Sequence, residues 1–204
     1  MKNSIHLKIL FFLFVFLLNT NFLNADEKRY KIIKLVNEQV ITNYDLEQRV
    51  KLFAVLRNAQ INQDNYNVIA SEILSTMVDE KLQLEKMIEY KINITESEVT
   101  DYLKRAYTND NVNIGDLFNA LKLNGIDHNI LKEMIKINLG WQKLTGNLYY
   151  RSSNVNTEEV DKLMLEEPNV GRERAEQLLL QDQIDLRAKK LLRDIKSEAN
   201  IENR

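Results

Sequence analysis

Residues 37–50 read NEQVITNYDLEQRV and directly follow the apolar run YKIIKLV of residues 30–36. Asn37 suits the positive-φ position of a tight turn, so the two pieces predict a strand, a turn and a short return strand. Thr42 or the asparagine after it then offers an N-cap. Asp45 would lie in the first helical turn, where the helix dipole favours acids. The stretch therefore predicts a hairpin that leads directly into a helix ending near residue 58.

Residues 1–25 have the pattern of a secretory signal peptide. Two lysines flank the start, ten apolar residues occupy 9–18, and polar residues then lead to Ala25. A ten-residue helix spans about 15 Å, half the thickness of a bilayer core, which makes an uncleaved membrane anchor the less favoured alternative. We therefore expect cleavage between Ala25 and Asp26, export to the bacterial periplasm and a soluble mature chain.

The composition of the chain limits the classes of protein it can belong to. The 204 residues include five glycines, one proline and no cysteine. Scarce glycine and proline favour a helical fold over a turn-rich sheet fold, and the lack of cysteine excludes disulfides and thiolate chemistry. Without residues 1–25 the chain has 26 basic and 30 acidic residues, a formal charge of −4. It has no basic cluster that would follow a phosphate backbone, so we expect no nucleic-acid partner.

Helical periodicity and capping residues predict six further helices. Their approximate bounds are 64–90, 95–107, 113–124, 127–148, 157–167 and 172–199. We divide the mature chain into a helical domain at 26–151, a linker with a short helix at 152–171, and a C-terminal segment at 172–204. Gly140 lies inside a predicted helix, where close helix packing is favoured over a hinge.

The sequence offers little for catalysis. His128 is the only histidine after residue 25, and its position beside a helix cap suits an exposed first-turn residue. Neither a Ser-His-Asp or Cys-His arrangement nor a metal-ligand set can be assembled without it. Glycine-rich phosphate loops are missing from the sequence, so we expect no ATP use, no cofactor, no metal and no catalytic residue.

What remains is apolar surface on helices, for which two interpretations compete. For any single residue, a place in one common core is the favoured interpretation. The alternative is a groove for the apolar segment of a partner, for which methionine is well suited because it is flexible and polarisable. The residues we select as groove candidates are Phe53, Leu56, Met77, Phe118, Met134 and Trp141.

The order and spacing of several motifs resemble the N-terminal domain of SurA-type periplasmic chaperones. The resemblance covers about residues 28–151 and 172–204, and no single motif carries it alone. The matching positions are Val36-Asn37, Val40-Ile41-Thr42, Asp45, Met77-Val78-Asp79-Glu80-Lys81-Leu82, Ile94-Thr95 and Glu98-Val99. The stretch IGDLFNALKLNGIDHNILKEMIKINLGWQKL and the tail from Arg174 onward are also similar to segments of that family.

This resemblance implies a mostly α-helical fold whose small β-sheet combines the N-terminal hairpin with a C-terminal strand at residues 200–202. It also implies an ATP-independent holding chaperone that binds unfolded outer-membrane proteins. We expect the six groove candidates, selected from the apolar pattern, to form its binding surface. Members of that family usually carry parvulin domains between the two matched parts. Only residues 152–171 lie there in this chain, so we expect no proline-isomerase activity.

Two other classes of function remain open. The protein could be a periplasmic scaffold whose apolar stripes pair with a fixed helical partner or, by self-association, with a second copy. It could also be a peptidyl-prolyl isomerase, which is disfavoured because no catalytic domain fits. A proline-peptide assay separates the enzyme from the chaperone, and indifference to unfolded polypeptides would identify the scaffold.

Overall fold

The computed structural model describes residues 30–108 and 113–204. The predicted signal peptide at 1–25, with its cleavage site between Ala25 and Asp26, lies outside the described residues. Within them, seven α-helices and a three-stranded sheet confirm the predicted mostly helical fold. The elements are β1 (Ile32–Val36), β2 (Gln39–Thr42), α1 (Asn43–Arg57), α2 (Gln63–Glu89), α3 (Glu96–Tyr107), α4 (Ile114–Leu123), α5 (His128–Tyr149), a 3₁₀ turn (Tyr150–Ser152), α6 (Thr157–Glu166), α7 (Arg172–Glu198) and β3 (Ile201–Asn203).

The sheet joins the two ends of the described fold. Its strand order is β2-β1-β3 and both pairings are antiparallel, with Leu35 opposite Val40 on one side and Glu202 on the other. Asn37 occupies the turn with a φ of 52°. Its backbone N–H donates to the carbonyl of Asn200 at 2.8 Å, and its Oδ1 accepts from the Asn200 N–H at 2.9 Å. The turn residue thus also anchors the returning C-terminal segment, and the predicted pairing of that segment with the first strand is confirmed.

Local side-chain hydrogen bonds fix where the helices begin. Of the two predicted caps for α1, the structure uses Thr42, whose hydroxyl accepts from the Asp45 N–H at 3.1 Å while Asp45 bonds back to the Thr42 N–H at 2.9 Å. The predicted capping box of Thr95 and Glu98 opens α3 in the same way. Such reciprocal bonds satisfy N–H groups that lack a helical partner.

The apolar side chains form three clusters rather than one. The first joins α1, α3, α4 and the start of α5 around Leu103, Leu121 and Leu131. The second packs the sheet and α7 against α2 around Val36 and Leu82. The third lies between α2 and α5, around Met87 and Leu144. Helix α5 therefore contributes to two clusters through different faces, since Leu131 and Ile135 enter the first and Ile137 and Leu144 enter the third.

Gly140 of α5 packs against the side chain of Met87 in α2. A Cβ atom at this position would lie 2.0 Å from Cε and 2.6 Å from Sδ of Met87. Because both residues are buried, the missing side chain lets the two helices pack together. The close-packing interpretation of Gly140 is confirmed.

Helices α6 and α7 pack against each other after the turn that follows α5. Val160 of α6 and Ala175 of α7 are buried, and Arg172 forms an ion pair with Asp161. Further along α7, Lys196 donates to Asp79 of α2 at 2.6 Å. No helix in the ranges 30–108 and 113–204 is both long and apolar enough to cross a bilayer.

Candidate binding groove

Two adjacent clefts open beside α1, α2 and α5. The large cleft has a volume of about 620 Å³ and is lined by Arg49, Leu52, Phe53, Leu56, Arg57, Glu72, Ile73, Thr76, Ala106, Tyr107 and Met134. The small cleft has a volume of about 260 Å³ and is lined by Asp45, Arg49, Met77, Glu80, Lys81, Asn129, Ile130, Glu133, Met134 and Ile137. Because they share Arg49 and Met134, we describe them as one groove, whose lining combines apolar side chains with charged residues.

Arg49 and Met134 line both clefts and therefore divide them. Arg49 pairs with Glu80 of α2, and the two side chains are only 11% and 18% exposed. Burial raises the pKa of the Glu80 carboxyl above its usual value, although the neighbouring guanidinium acts in the opposite direction. The ion pair is thus a largely desolvated polar contact in the lining of the groove.

The large cleft presents side chains that are neither fully buried nor fully exposed. Phe53, Leu56, Ile73 and Met134 are all half-buried, which leaves part of each apolar surface in contact with solvent. Burial raises the pKa of the Tyr107 phenol, also in this wall. Apolar clefts with a few fixed polar groups are the usual form of sites that bind other molecules, and these clefts can take apolar side chains.

The structure brings four of the six predicted groove residues together. Phe53 and Leu56 line the large cleft, Met77 lines the small cleft, and Met134 lines both. These residues come from three helices, so their proximity depends on how the helices pack.

Phe118 and Trp141 lie outside the two clefts. Phe118 packs against the first apolar cluster, its ring 4.8 Å from that of His128 and 5.9 Å from the Nζ of Lys132. Trp141 packs against the third cluster beside Leu144. Both side chains are half-buried, in other parts of the fold.

Sequence reasoning missed the polar contacts that hold the groove together. Gln48 of α1 is 1% exposed; its Nε2 donates to the Gly125 carbonyl at 3.1 Å and its Oε1 accepts from the Asp127 N–H at 3.3 Å. This side chain ties α1, one wall of the groove, to the loop that begins α5. The available signal was its spacing of four from Leu52, which places both residues on one face of the helix.

The described residues show no arrangement suited to metal-dependent chemistry. Residues 30–108 and 113–204 contain no group of three or more His, Cys, Asp or Glu side chains that could hold a metal ion. Every buried side-chain nitrogen and oxygen in these ranges has a hydrogen-bond partner. The lining of the groove combines apolar side chains, the Arg49–Glu80 ion pair and further charged residues.

Comparison with known proteins places the fold in a family. Residues 30–145 match the family model described as the SurA N-terminal domain. Chaperone SurA of Methylobacillus flagellatus is 22% identical over 138 residues, which are 67% of this chain and 32% of that protein. Chaperone SurA of Saccharophagus degradans is 22% identical over 135 residues, which are 66% of this chain and 31% of that protein.

A solved structure is also similar. It comes from a study of two SurA-like chaperones of Campylobacter jejuni, the virulence factor PEB4 and the periplasmic protein Cj1289. The alignment has a TM-score of 0.37 and 16% identity, and it covers 68% of this chain and 50% of that chain. The present chain spans about a third of the length of the curated relatives it matches. Since the family model covers more than half of the sequence, the chain belongs to the SurA N-terminal domain family.

Proposed function

We propose that this protein is an ATP-independent holding chaperone of the bacterial periplasm, which binds unfolded outer-membrane proteins for delivery to the outer membrane. The observation that carries the proposal is the groove, in which half-buried and buried apolar side chains from three helices line two open clefts. Family membership supports a chaperone role, because the curated relatives bear the name Chaperone SurA. The pattern of residues 1–25, which is that of a secretory signal peptide, supports the location.

The physical character of the groove suits transient holding. Fully burying one large apolar side chain contributes roughly 1.5–3 kcal/mol, and a segment of unfolded polypeptide loses conformational freedom when it binds. Two or three such side chains supply roughly 3–9 kcal/mol before that loss is subtracted, so we expect an affinity no tighter than near micromolar, about −8 kcal/mol. A complex of this strength releases its client without ATP, as transfer to the next partner requires.

The proposed binding surface is centred on the clefts. Phe53, Leu56, Met77 and Met134 line them and form its central part. Phe118 and Trp141 remain candidates as half-buried aromatic surface elsewhere on the fold. The proposed organisation assigns binding to residues 26–151, while 152–171 connects this domain to the C-terminal segment 172–204.

A variant pair tests the groove directly. We expect Phe53→Ser with Leu56→Ser to weaken binding to an unfolded outer-membrane barrel protein by about tenfold or more, because two apolar contacts are lost. The matched control is Leu123→Ser with Leu165→Ser, since these leucines are 88% and 82% exposed and lie outside both clefts. Equal binding by the two double variants would contradict the groove as the binding surface.

Two alternatives are separated by other measurements. A stable complex with one periplasmic protein or with a second copy, together with indifference to unfolded clients, would favour the scaffold. Catalysis of proline isomerisation in a standard peptide assay would favour the enzyme. We propose neither, because the apolar groove in a member of this family is better suited to holding unfolded segments.

A further inference from the structure

The strand β3 fills the edge of β1 that faces away from β2, but it buries little of its own surface. Ile201 and Glu202 are half-buried, and Asn203 is exposed. In the other two strands of the sheet, Val36 and Ile41 are fully buried. Ile201 packs against the second apolar cluster, so one apolar side chain of β3 takes part in the core. Main-chain bonds therefore hold β3 more than its side chains do.

These main-chain bonds are regularly spaced along β1. The N–H of Asn37 donates to the carbonyl of Asn200 at 2.8 Å, and the N–H of Arg204 donates to the carbonyl of Ile33 at 3.2 Å. Leu35 pairs with β3 midway between these two bonds. Bonds of this kind do not depend on the identity of the side chains, so another extended segment can make them, as in other sheets that accept an added strand.

One side chain fastens this attachment. Oδ1 of Asn37 accepts from the Asn200 N–H at 2.9 Å, while its Nδ2 donates to Oε2 of Glu85 in α2 at 2.8 Å. Asn37 has a φ of 52°, a value that glycine adopts without steric cost. Asn37 therefore joins the hairpin, the C-terminal segment and α2, and a glycine in its place would remove the two side-chain bonds without straining the turn.

The bonds of β3 are separate from those that hold α7. Lys196 of α7 pairs with Asp79 of α2 at 2.6 Å, and Leu192 and Ile195 pack against the second apolar cluster. The chain changes from helical to extended at Ala199, with φ −76° and ψ 144°. A short segment with exposed hydrogen bonds and little buried apolar surface belongs to the least stable parts of a fold. Opening of β3 about Ala199 thus leaves the contacts of α7 in place.

We propose that this edge of β1 is a binding site for an extended segment of an unfolded client, and that β3 occupies the site in the closed state. A client segment that displaces β3 makes the same main-chain bonds and places one apolar side chain where Ile201 lies. The class of occupant follows from the present one, which is itself an extended segment of three residues. This inference rests on the proposed function and adds to it a second binding surface, separate from the groove, and a strand that regulates access to it.

A disulfide lock tests the displacement of β3. The chain has no cysteine, so Lys34→Cys with Asn203→Cys introduces its only two thiols. The two positions face each other between the main-chain bonds, where Cα atoms lie about 4.5 Å apart, within the range that a disulfide spans. We expect the oxidised protein to bind an unfolded, cysteine-free outer-membrane barrel protein about fivefold more weakly than the same protein after reduction.

The two redox forms share one sequence, so each is the control for the other. Equal binding by the oxidised and reduced forms would overturn this inference and leave the proposed function standing. No binding by either form, or by the wild type, would overturn both. Weaker binding by the oxidised form supports the site on β1, and the binding that remains measures the contribution of the groove.

Asn37→Gly tests the side chain that fastens β3. We expect hydrogen exchange about tenfold faster at the amides of Glu202 and Arg204, which face β1, because β3 opens more often. Client binding should become about threefold tighter, since the site is open in a larger fraction of the molecules. The matched control is Asn58→Gly at the exposed C-cap of α1, where φ is 48°, and it should change neither quantity. Faster exchange without tighter binding would refute the client site on β1, and unchanged exchange would refute the fastening role of Asn37.

Discussion

Replacing Gln48 with leucine removes one side chain that joins two parts of the fold. The amide of Gln48 bonds to the carbonyl of Gly125 at 3.1 Å and to the N–H of Asp127 at 3.3 Å. Leucine has a similar volume and leaves no large cavity, so the change isolates the two hydrogen bonds. Both backbone groups then face an apolar side chain in a position that is 1% exposed in the wild type.

The expected cost follows from leaving two backbone groups unpaired. A buried group that loses its partner costs about 1–3 kcal/mol. Gly125 and Asp127 are themselves exposed residues, so water relieves part of this cost, and we take the lower end for each group. Gln48→Leu should therefore lower the free energy of unfolding by about 2 kcal/mol.

Urea denaturation of both the variant and a control measures this effect. The matched control is Gln142→Leu, an exposed glutamine on α5 that bonds only within its own helix, to Asn138 at 2.8 Å. This control should change the free energy of unfolding by no more than about 0.5 kcal/mol. A shift in the midpoint at constant slope would indicate a change in stability alone. Equal stability of the two variants would refute the role of Gln48 as a structural link.

Three further predictions follow from the packing and charges of the fold. Gly140→Ala should destabilise the protein by about 1–3 kcal/mol, because the added Cβ atom would collide with the side chain of Met87. The control Gly146→Ala on the same helix meets no atom within 4 Å and should leave the stability unchanged. Equal melting temperatures of the two variants would contradict the close packing. Deleting residues 172–204 should lower the melting temperature by at least about 10 °C, because β3 and the α7 side of the second apolar cluster are lost. An unchanged melting temperature would refute the role of the C-terminal segment in stabilising the fold. Burial raises the folded-state pKa of the Glu80 carboxyl above its ordinary value of 4.5. The contribution of this carboxyl group to stability is therefore full below pH 4.5, and it is lost as the pH rises through the raised folded-state pKa. The unfolding free energy of the wild type relative to Glu80→Gln should therefore fall as pH increases from 4.5, and a rise over that range would contradict the assignment.

Features that depend on neighbouring residues in the sequence were predicted well. The capping box of Thr95 and Glu98 and the turn at Asn37 each follow from residue types within four positions of one another. The pairing of the C-terminal segment with β1 came from the resemblance to a family, since nothing local in a three-residue strand specifies its partner. Short-range chemistry therefore determines the helix boundaries, and family resemblance supplied the long-range contact.

The groove was predicted less completely because it depends on tertiary packing. Helical periodicity places Phe53, Phe118, Met134 and Trp141 on the apolar faces of their helices. It does not specify which apolar cluster each of these faces contacts. The structure places Phe53 and Met134 beside open clefts, with Phe118 and Trp141 in other clusters. The Arg49–Glu80 contact joins two helices across 31 positions, and no pattern in the sequence pairs these two charges rather than their neighbours.

The most direct test of a holding chaperone is a titration of residues 26–204 against an unfolded outer-membrane barrel protein. Binding and light scattering are followed together, without ATP. The account predicts binding near micromolar, about −8 kcal/mol, with aggregation of the barrel protein suppressed over the same concentration range. Absence of both effects at tens of micromolar protein would contradict the proposed function and favour a scaffold with a fixed partner.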